Sequence, residues 1–488
     1  MEIIDCLLIG HAEPDLGKEI KIRELGFGKK SAAFQDMDQA FITYCGRPYN
    51  PLGMLNLINS DKLSSPFSNT DFLWPAVLVI GSFLHQHNLS FHHVSDGLKQ
   101  DLIKEKLLNN HYHCIALTTT LYVTSTPVID MVSFIRRYNK TSKIIIGGPF
   151  IKSNIDGVPK PIVNALLHQL GGDIYVDSGE GQKALVDIIT RVKTGKNLND
   201  VPNIIYHEKT RSNDHKSGTK KSEFTFNPKF SEYNDLTENR IKYSLFAEDF
   251  KDGFASIGTA KSCPYACSYC TYPQRSGKYS YLNVNQVEEE LSQLEGIGVH
   301  TLTFYDDTFN VPKARFKDIL RMMIRNRYSF KWNSFYRADQ GDQETIELMA
   351  ESGCEGVFIG MESASDSQLN NMAKTSRKVH YQEAIPRLME QGILVHANYI
   401  IGFPGETEYS IRETIDFIRE YKPALYKVQP WYCEKMSPIW KLKDLFGIEG
   451  EGFNWSHATM NSHEAANWRK RVQPRGRPWT MVLFLPAT

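Results

Sequence analysis

Three cysteines fall within eight consecutive residues of this 488-residue chain: Cys263, Cys267 and Cys270, spaced four and then three apart. Thiolates so close together can wrap one metal centre. A structural zinc ion takes four protein ligands, usually including a second Cys or His pair. No such pair lies nearby, because the next cysteine, Cys354, sits inside an apolar strand pattern. A cubane iron–sulfur cluster suits three cysteines well, since three irons are tied down and the fourth stays open to a substrate. A zinc site and three unrelated thiols are the competing readings. The other cysteines (Cys6, Cys45, Cys114, Cys354 and Cys433) are scattered, most of them in apolar runs where cysteine behaves as a small hydrophobe. A secreted disulfide framework would not distribute them this way.

The cysteine spacing, with aromatic Tyr269 before the last cysteine, resembles the signature of the radical S-adenosylmethionine (SAM) superfamily. The resemblance implies that the open iron chelates the amino and carboxylate groups of SAM. An electron from the cluster would then cleave the sulfonium to methionine and a 5′-deoxyadenosyl radical, while the protein aligns the reacting atoms and excludes water. It also assigns residues at successive strand ends. Asp306, in Tyr305-Asp306-Asp307-Thr308-Phe309, would meet the SAM ammonium or the substrate, with a turn or helix N-cap as the alternative. Arg337 would pair with the SAM carboxylate, against a structural ion pair. Glu362 stands where the family has a polar contact to the ribose or methionine part. Asn398, Gly402 and Phe403 belong to a run, Asn398 to Thr407, that resembles the adenine-binding strand and turn. Its glycines let backbone approach a ring closely.

These residues need a parallel sheet to bring them together. From about Phe254 the chain alternates short apolar strands, such as Ala255 to Gly258, Thr301 to Tyr305 and Val395 to Ile401, with helical patterns such as Val284 to Ile297 and Lys313 to Arg325. Six such units predict a partial (β/α)6 barrel of the TIM type, whose active site lies at the carboxyl ends of its strands. The first third alternates in the same way. Its strands are Ile3 to Gly10, Leu89 to Val94, Cys114 to Thr118, Lys143 to Ile146 and Asp173 to Val176, which predicts an α/β doubly wound, Rossmann-like sheet. The stretch from His11 to Pro75 is long for one crossover and should carry small elements of its own. Residues 1–195 therefore read as a first domain and 196–248 as a linker. A barrel over 249–445 and a short capping segment over 446–488 complete the chain. The polar run His207 to Glu223 reads as a solvated hairpin tip, and Gln473 to Thr488 as an irregular end, truncated or divergent.

No Gly-x-Gly-x-x-Gly follows the first strand, which counts against a dinucleotide. Small and hydroxyl residues stand at later strand ends instead: Thr118 and Thr119, then Gly147 and Gly148, then Ser178, Gly179 and Glu180. They would make a smooth crevice for a large flat ligand at the switch edge of the sheet. The placement resembles cobalamin-binding domains fused to radical SAM barrels, and that resemblance implies cobalamin. One departure is the missing Asp-x-His-x-x-Gly loop, which in another cobalamin group donates a histidine to cobalt. After the barrel, Trp431, Trp455 and His457 are candidate substrate contacts, with simple packing on the barrel as the alternative.

The 56 basic and 56 acidic side chains cancel, which argues against a nucleic-acid surface or a polybasic membrane anchor. The longest apolar run, Phe72 to Leu84, is too short to span a bilayer, and the amino terminus lacks the basic region of a signal peptide. A cytoplasmic protein is expected. The domain order resembles the cobalamin-dependent radical SAM enzymes, nearest in look to the phosphinothricin-type P-methyltransferase subgroup. That resemblance implies a [4Fe-4S] cluster, SAM, cobalamin and an electron donor such as flavodoxin or ferredoxin. The implied reaction methylates an unactivated carbon or phosphorus centre of a natural product or peptide, by way of a methyl group carried on cobalt. A cobalamin-associated enzyme that performs ring contraction, cyclisation or oxidation is the first alternative. An iron–sulfur protein that has lost catalysis is the second.

Overall fold

The computed structural model describes residues 2–11, 16–34, 42–44, 47–49, 56–57, 60, 73–120, 122, 124–207, 224–250 and 252–473. The expected hairpin tip after His207, the irregular end beyond Gln473, and Cys45 lie outside these residues. The chain forms two compact units, residues 1–14 with 73–247 and residues 15–72 with 248–488.

The first unit is built on a seven-stranded sheet. Its strands are β1 (Ile3–His11), β2 (Phe91–Asp96), β3 (His111–Thr118), β4 (Lys143–Gly147), β5 (Ile174–Val176), β6 (Ile204–His207) and β7 (Phe224–Phe226). The spatial order is β2-β1-β3-β4-β5-β6-β7, parallel from β2 through β5. β6 and β7 add antiparallel at one edge. Alternate residues of β1 enter separate cores on the two faces: Leu7 and Ile9 join Ile115 and Ile146, while Cys6 and Leu8 join Cys114 and Ile145. Burial on both faces explains why these strands read as continuous apolar runs rather than alternating ones. The chain runs from β1 to β2 and then crosses to β3 on the other side. The switch point therefore lies between β1 and β3, where ligands of such sheets bind.

The second unit holds a six-stranded, wholly parallel sheet in sequential order: β8 (Phe254–Ile257), β9 (Thr301–Phe304), β10 (Lys331–Phe335), β11 (Cys354–Glu362), β12 (Leu394–Ile401) and β13 (Leu425–Pro430). Helices follow the strands, as expected of a partial (β/α)6 barrel, and their ends are written into the sequence. Asn283 and Gln286 form a reciprocal capping box on Val284–Gly296, whose Val287, Leu291 and Leu294 make one buried stripe. Thr407 caps Glu408–Tyr421, and Asn461 with Glu464 caps Ser462–Val472. Residues 449–461 form a three-stranded antiparallel sheet ahead of that last helix. The crossover that leaves β1 contains the helix Leu16–Phe27 and a short hairpin, Ile42–Tyr44 with Arg47–Tyr49, and it clusters with this second unit. No helix among the described residues is long and apolar enough to cross a membrane.

Candidate functional site

The cysteine loop leaves the carboxyl end of β8. A two-residue antiparallel ladder, Ala260 with Tyr281 and Lys261 with Ser280, closes its base. Ser268 in its middle is fixed three ways: its N–H donates to Met372 O at 2.8 Å, its Oγ donates to Asn371 O at 2.9 Å, and its carbonyl accepts from Ile439 N at 2.8 Å. Cys267 is buried, and Cys263 and Cys270 are half-buried; none is in a disulfide. Burial pushes the Cys263 and Cys270 thiols up. The nearby backbone of Tyr265 and Tyr272 opposes this. Backbone N–H groups directed at a sulfur favour the thiolate, the form that ligates iron.

Among the described residues, no three His, Cys, Asp or Glu side chains converge tightly enough for a single metal ion. A tetrahedral zinc would hold its sulfurs about 4 Å apart. A cubane takes one thiolate on each of three irons, and three free cysteines on one short loop are the donor set it needs.

Behind the loop, Tyr269 donates its hydroxyl to Glu362 Oε1 at 2.9 Å, and Lys374 Nζ reaches the same oxygen at 3.4 Å and the Tyr269 hydroxyl at 3.3 Å. Glu362 closes β11 in the left-handed region, φ 64°, just after a register shift against β12. That backbone turns its carboxylate toward the loop. The Tyr269 ring also stands edge-on to Phe403, with centroids 6.4 Å apart. Tyr269, Glu362 and Phe403 are thus brought together at one end of the sheet.

Gly402, at φ 91°, starts the turn after β12. A Cβ there would meet Trp455 and Ala465 at 2.6 Å, so only glycine fits. Its carbonyl accepts from His457 Nε2 at 3.0 Å, and its N–H donates to Glu406 Oε2. Trp431, Trp455 and His457 form one aromatic cluster behind this turn. Trp431 lies 5.4 Å from Phe403, Trp455 lies 5.0 Å from Trp431, and His457 stacks on Trp455 at 5.1 Å. All three are buried, and they brace the turn.

Asp306 and Arg337 already have protein partners. Asp306 accepts from Thr259 N at 2.7 Å, Thr259 Oγ1 at 2.5 Å and Ala260 N at 2.9 Å, anchoring the start of the cysteine loop. Burial lifts its carboxyl to about 6 despite those bonds. Arg337 makes a bidentate pair with Asp339 at 3.1 and 3.0 Å, bonds Thr375 Oγ1 at 2.6 Å, and lies 3.6 Å over the Tyr265 ring inside the cysteine loop. Asp339 is held down at about 2, its burial outweighed by Arg337 and the Thr375 and Ser376 hydroxyls. Asp307, next to Asp306, is exposed, and its charge works against ionisation of the Cys263 and Cys270 thiols. Asn398 sits lower, half-buried on β12. Lys374 and Glu406 were not read from the sequence. Their only signals were a lone lysine and an acid four residues past Gly402.

In the first unit, Thr118 and Thr119, Gly147 and Gly148, and Ser178, Gly179 and Glu180 follow adjacent strands β3, β4 and β5. Thr119 donates N–H and Oγ1 to Gly147 O, at 2.9 and 2.8 Å. Gly148, at φ 112°, would bring a Cβ to 3.0 Å from Thr119 N and Oγ1. Thr118 Oγ1 is buried and has no hydrogen-bond partner. Ser178 Oγ accepts from Glu180 N at 3.3 Å, and Glu180 Oε2 accepts from Asn234 N at 2.9 Å. An orphaned hydroxyl beside a glycine cradle at the carboxyl end of a doubly wound sheet fits a large flat ligand.

Comparison with known proteins agrees with this reading. Residues 257–418 match the profile of the Radical SAM superfamily. An uncharacterized methyltransferase of Pyrococcus horikoshii is 25% identical over 67% of this chain and 69% of its own length. The tryptophan 2-C-methyltransferase of Streptomyces laurentii is 28% identical over 34% of this chain, and the match spans only 31% of that enzyme. Among solved structures, the radical SAM methyltransferase TsrM from Kitasatospora setae, bound to cobalamin and a [4Fe-4S] cluster, superposes with a TM-score of 0.60. It is 18% identical, covering 77% of this chain and 74% of its own. That likeness is one of fold: an α/β sheet domain followed by a radical SAM barrel. The cysteine loop at the carboxyl end of β8 lies inside the segment, residues 257–418, that matches the Radical SAM superfamily.

Proposed function

We propose that this protein is a cobalamin-dependent radical SAM methyltransferase acting on an unactivated carbon or phosphorus centre of a small molecule or peptide. The cysteine loop at the carboxyl end of β8 carries the reading: three free thiols within eight residues, on a six-stranded parallel sheet, inside the segment that matches the Radical SAM superfamily. When bound, the cluster and SAM supply a deoxyadenosyl radical, and cobalamin supplies a methyl carrier. Cys263, Cys267 and Cys270 would hold the cluster. Tyr269 and Glu362 fix the rear of the loop, and Glu362 would offer a polar contact to the ribose or methionine part of SAM. Gly402 and Phe403, braced by Trp431, Trp455 and His457, would offer backbone and a ring to the adenine. Arg337 and Asp306 act by positioning the loop, through Tyr265 and Thr259. In the first unit Thr118, Thr119, Gly147, Gly148, Ser178, Gly179 and Glu180 would receive the corrin and its tail.

A flavodoxin- or ferredoxin-type donor would supply electrons in the cytoplasm, and the balanced overall charge argues against a nucleic-acid partner. The test is anaerobic reconstitution with iron, sulfide and cobalamin, followed by turnover with methyl-deuterated SAM and extracts of the source cells. Transfer of the deuterated methyl to a new product supports methylation. Deoxyadenosine formed without any methylated product supports the ring-contraction, cyclisation or oxidation alternative instead.

A further inference from the structure

The two faces of the six-stranded sheet are buried unequally. Leu302, Trp332, Val357, Ala397, Tyr399 and Val428 pack on the helix side and are fully covered. On the other face Phe358, His396, Asn398 and Lys427 are half-buried, and Phe335 is 41% exposed. Register places Phe335 beside Phe358, Phe358 beside His396, and Asn398 beside Lys427. The rings touch in that order, with centroids 5.5 Å apart from Phe335 to Phe358 and 5.2 Å from Phe358 to His396. Neighbouring Tyr426 turns the opposite way, its hydroxyl 3.5 Å from Val472 O on the last helix. Lys427 therefore faces the open side.

The polar groups of this wall lack partners among the described residues. His396 Nε2 is buried without a hydrogen bond. Asn398 makes no side-chain hydrogen bond, and no carboxylate pairs with Lys427. Burial and the nearby Lys427 charge keep His396 neutral, down to about 4. A half-buried lysine without a counter-charge, beside an idle amide, is a ready place for an anion. An exposed aromatic pair next to it is ready for a flat apolar body.

We propose that this wall is the substrate subsite: Lys427 and Asn398 take a carboxylate-class anion, and Phe335 and Phe358 take a planar apolar body. The assignment rests on the methyltransferase reading and names its substrate class as an aromatic or otherwise planar acid. SAM's own carboxylate is a second source of the same chemistry. It is the less suited one, because Asn398 pairs with Gly360, two residues before Glu362, which holds the cysteine loop. Two residues of strand put Lys427 about 7 Å below the level of that contact.

The test uses the anaerobically reconstituted holoprotein, with hydrocinnamate and its neutral amide as probes, read by saturation-transfer NMR and titration. The acid is expected to bind at least about tenfold tighter than the amide, as a charge-assisted bond implies. Lys427→Met should abolish that preference while retaining the cluster absorption, Lys427→Arg should keep it, and Phe335→Ala should weaken both probes. Failure of the acid to bind, equal binding of acid and amide, or an intact preference in Lys427→Met overturns the proposal. So does a Lys427→Met protein that loses SAM affinity but keeps the acid preference, since the anion would then be SAM's. Deoxyadenosine formation by the wild-type protein is scored separately: its absence would sink the methyltransferase reading while leaving the acid preference as measured.

Discussion

Glu406 offers the sharpest test of how the turn after β12 is held. It is fully buried; Oε2 accepts the Gly402 N–H and Oε1 has no partner. Burial, opposed only by that single bond, lifts its carboxyl from 4.5 to about 8. The folded state therefore keeps a proton that the unfolded chain releases at lower pH. Its contribution is fully present below the unfolded value and is lost as pH rises through the folded one. Within that window each pH unit costs about 1.4 kcal/mol, so keeping Glu406 in place at pH 7 costs about 3 kcal/mol. Glu406→Gln has the same shape and no charge to lose. Urea unfolding of both proteins, prepared without oxygen and followed by tryptophan fluorescence at pH 6 and pH 8, isolates the effect, because every other titrating group is shared. The wild type should lose about 2 kcal/mol more than Glu406→Gln over that span, the slope flattening as pH nears the folded value. Parallel pH dependence in the two proteins would refute the burial argument.

Other expectations concern the remaining contacts. Asp339→Asn leaves the Arg337 guanidinium buried without its counter-charge, and should destabilise the second unit by about 3–5 kcal/mol in the same unfolding assay. Gly402→Ala drives a Cβ against Trp455 and Ala465, which should cost about 1–3 kcal/mol and weaken SAM binding in a titration. Gly148→Val fills the cradle beside Thr119; retained corrin absorbance after desalting should fall, while the iron–sulfur absorption of the protein persists.

Much of this was legible in the sequence where the signal is local. Lys313 to Arg325 reads as a helix because its apolar residues keep helical spacing, and the helix spans those residues. The strands of the first sheet read as strands because burial on both faces makes them continuously apolar. Their ends shifted by a residue or two, as for β2, expected over Leu89 to Val94 and found at Phe91–Asp96. The cysteine spacing is carried entirely by neighbours in sequence. Long-range partners were not legible. Asp306 meets Thr259 forty-seven residues away, and Lys374 reaches Tyr269 across one hundred and five. Arg337 shows why motifs alone mislead. Its pairing with Asp339 is local, but Thr375 and Ser376 complete the cage from another strand-end loop. Nor does any short-range pattern reveal the left-handed backbone of Glu362, since a non-glycine residue adopts it only when the fold imposes it.

The central claim is that Cys263, Cys267 and Cys270 together hold a cluster that cleaves SAM. The direct measurement is deoxyadenosine formed from SAM under a strong reductant, by chromatography with mass detection, in the reconstituted wild type and in each Cys→Ala variant. The account predicts deoxyadenosine from the wild type and none above background from any of the three. Equal yield from a variant, or none from a wild type that carries its full iron and sulfide, would contradict it.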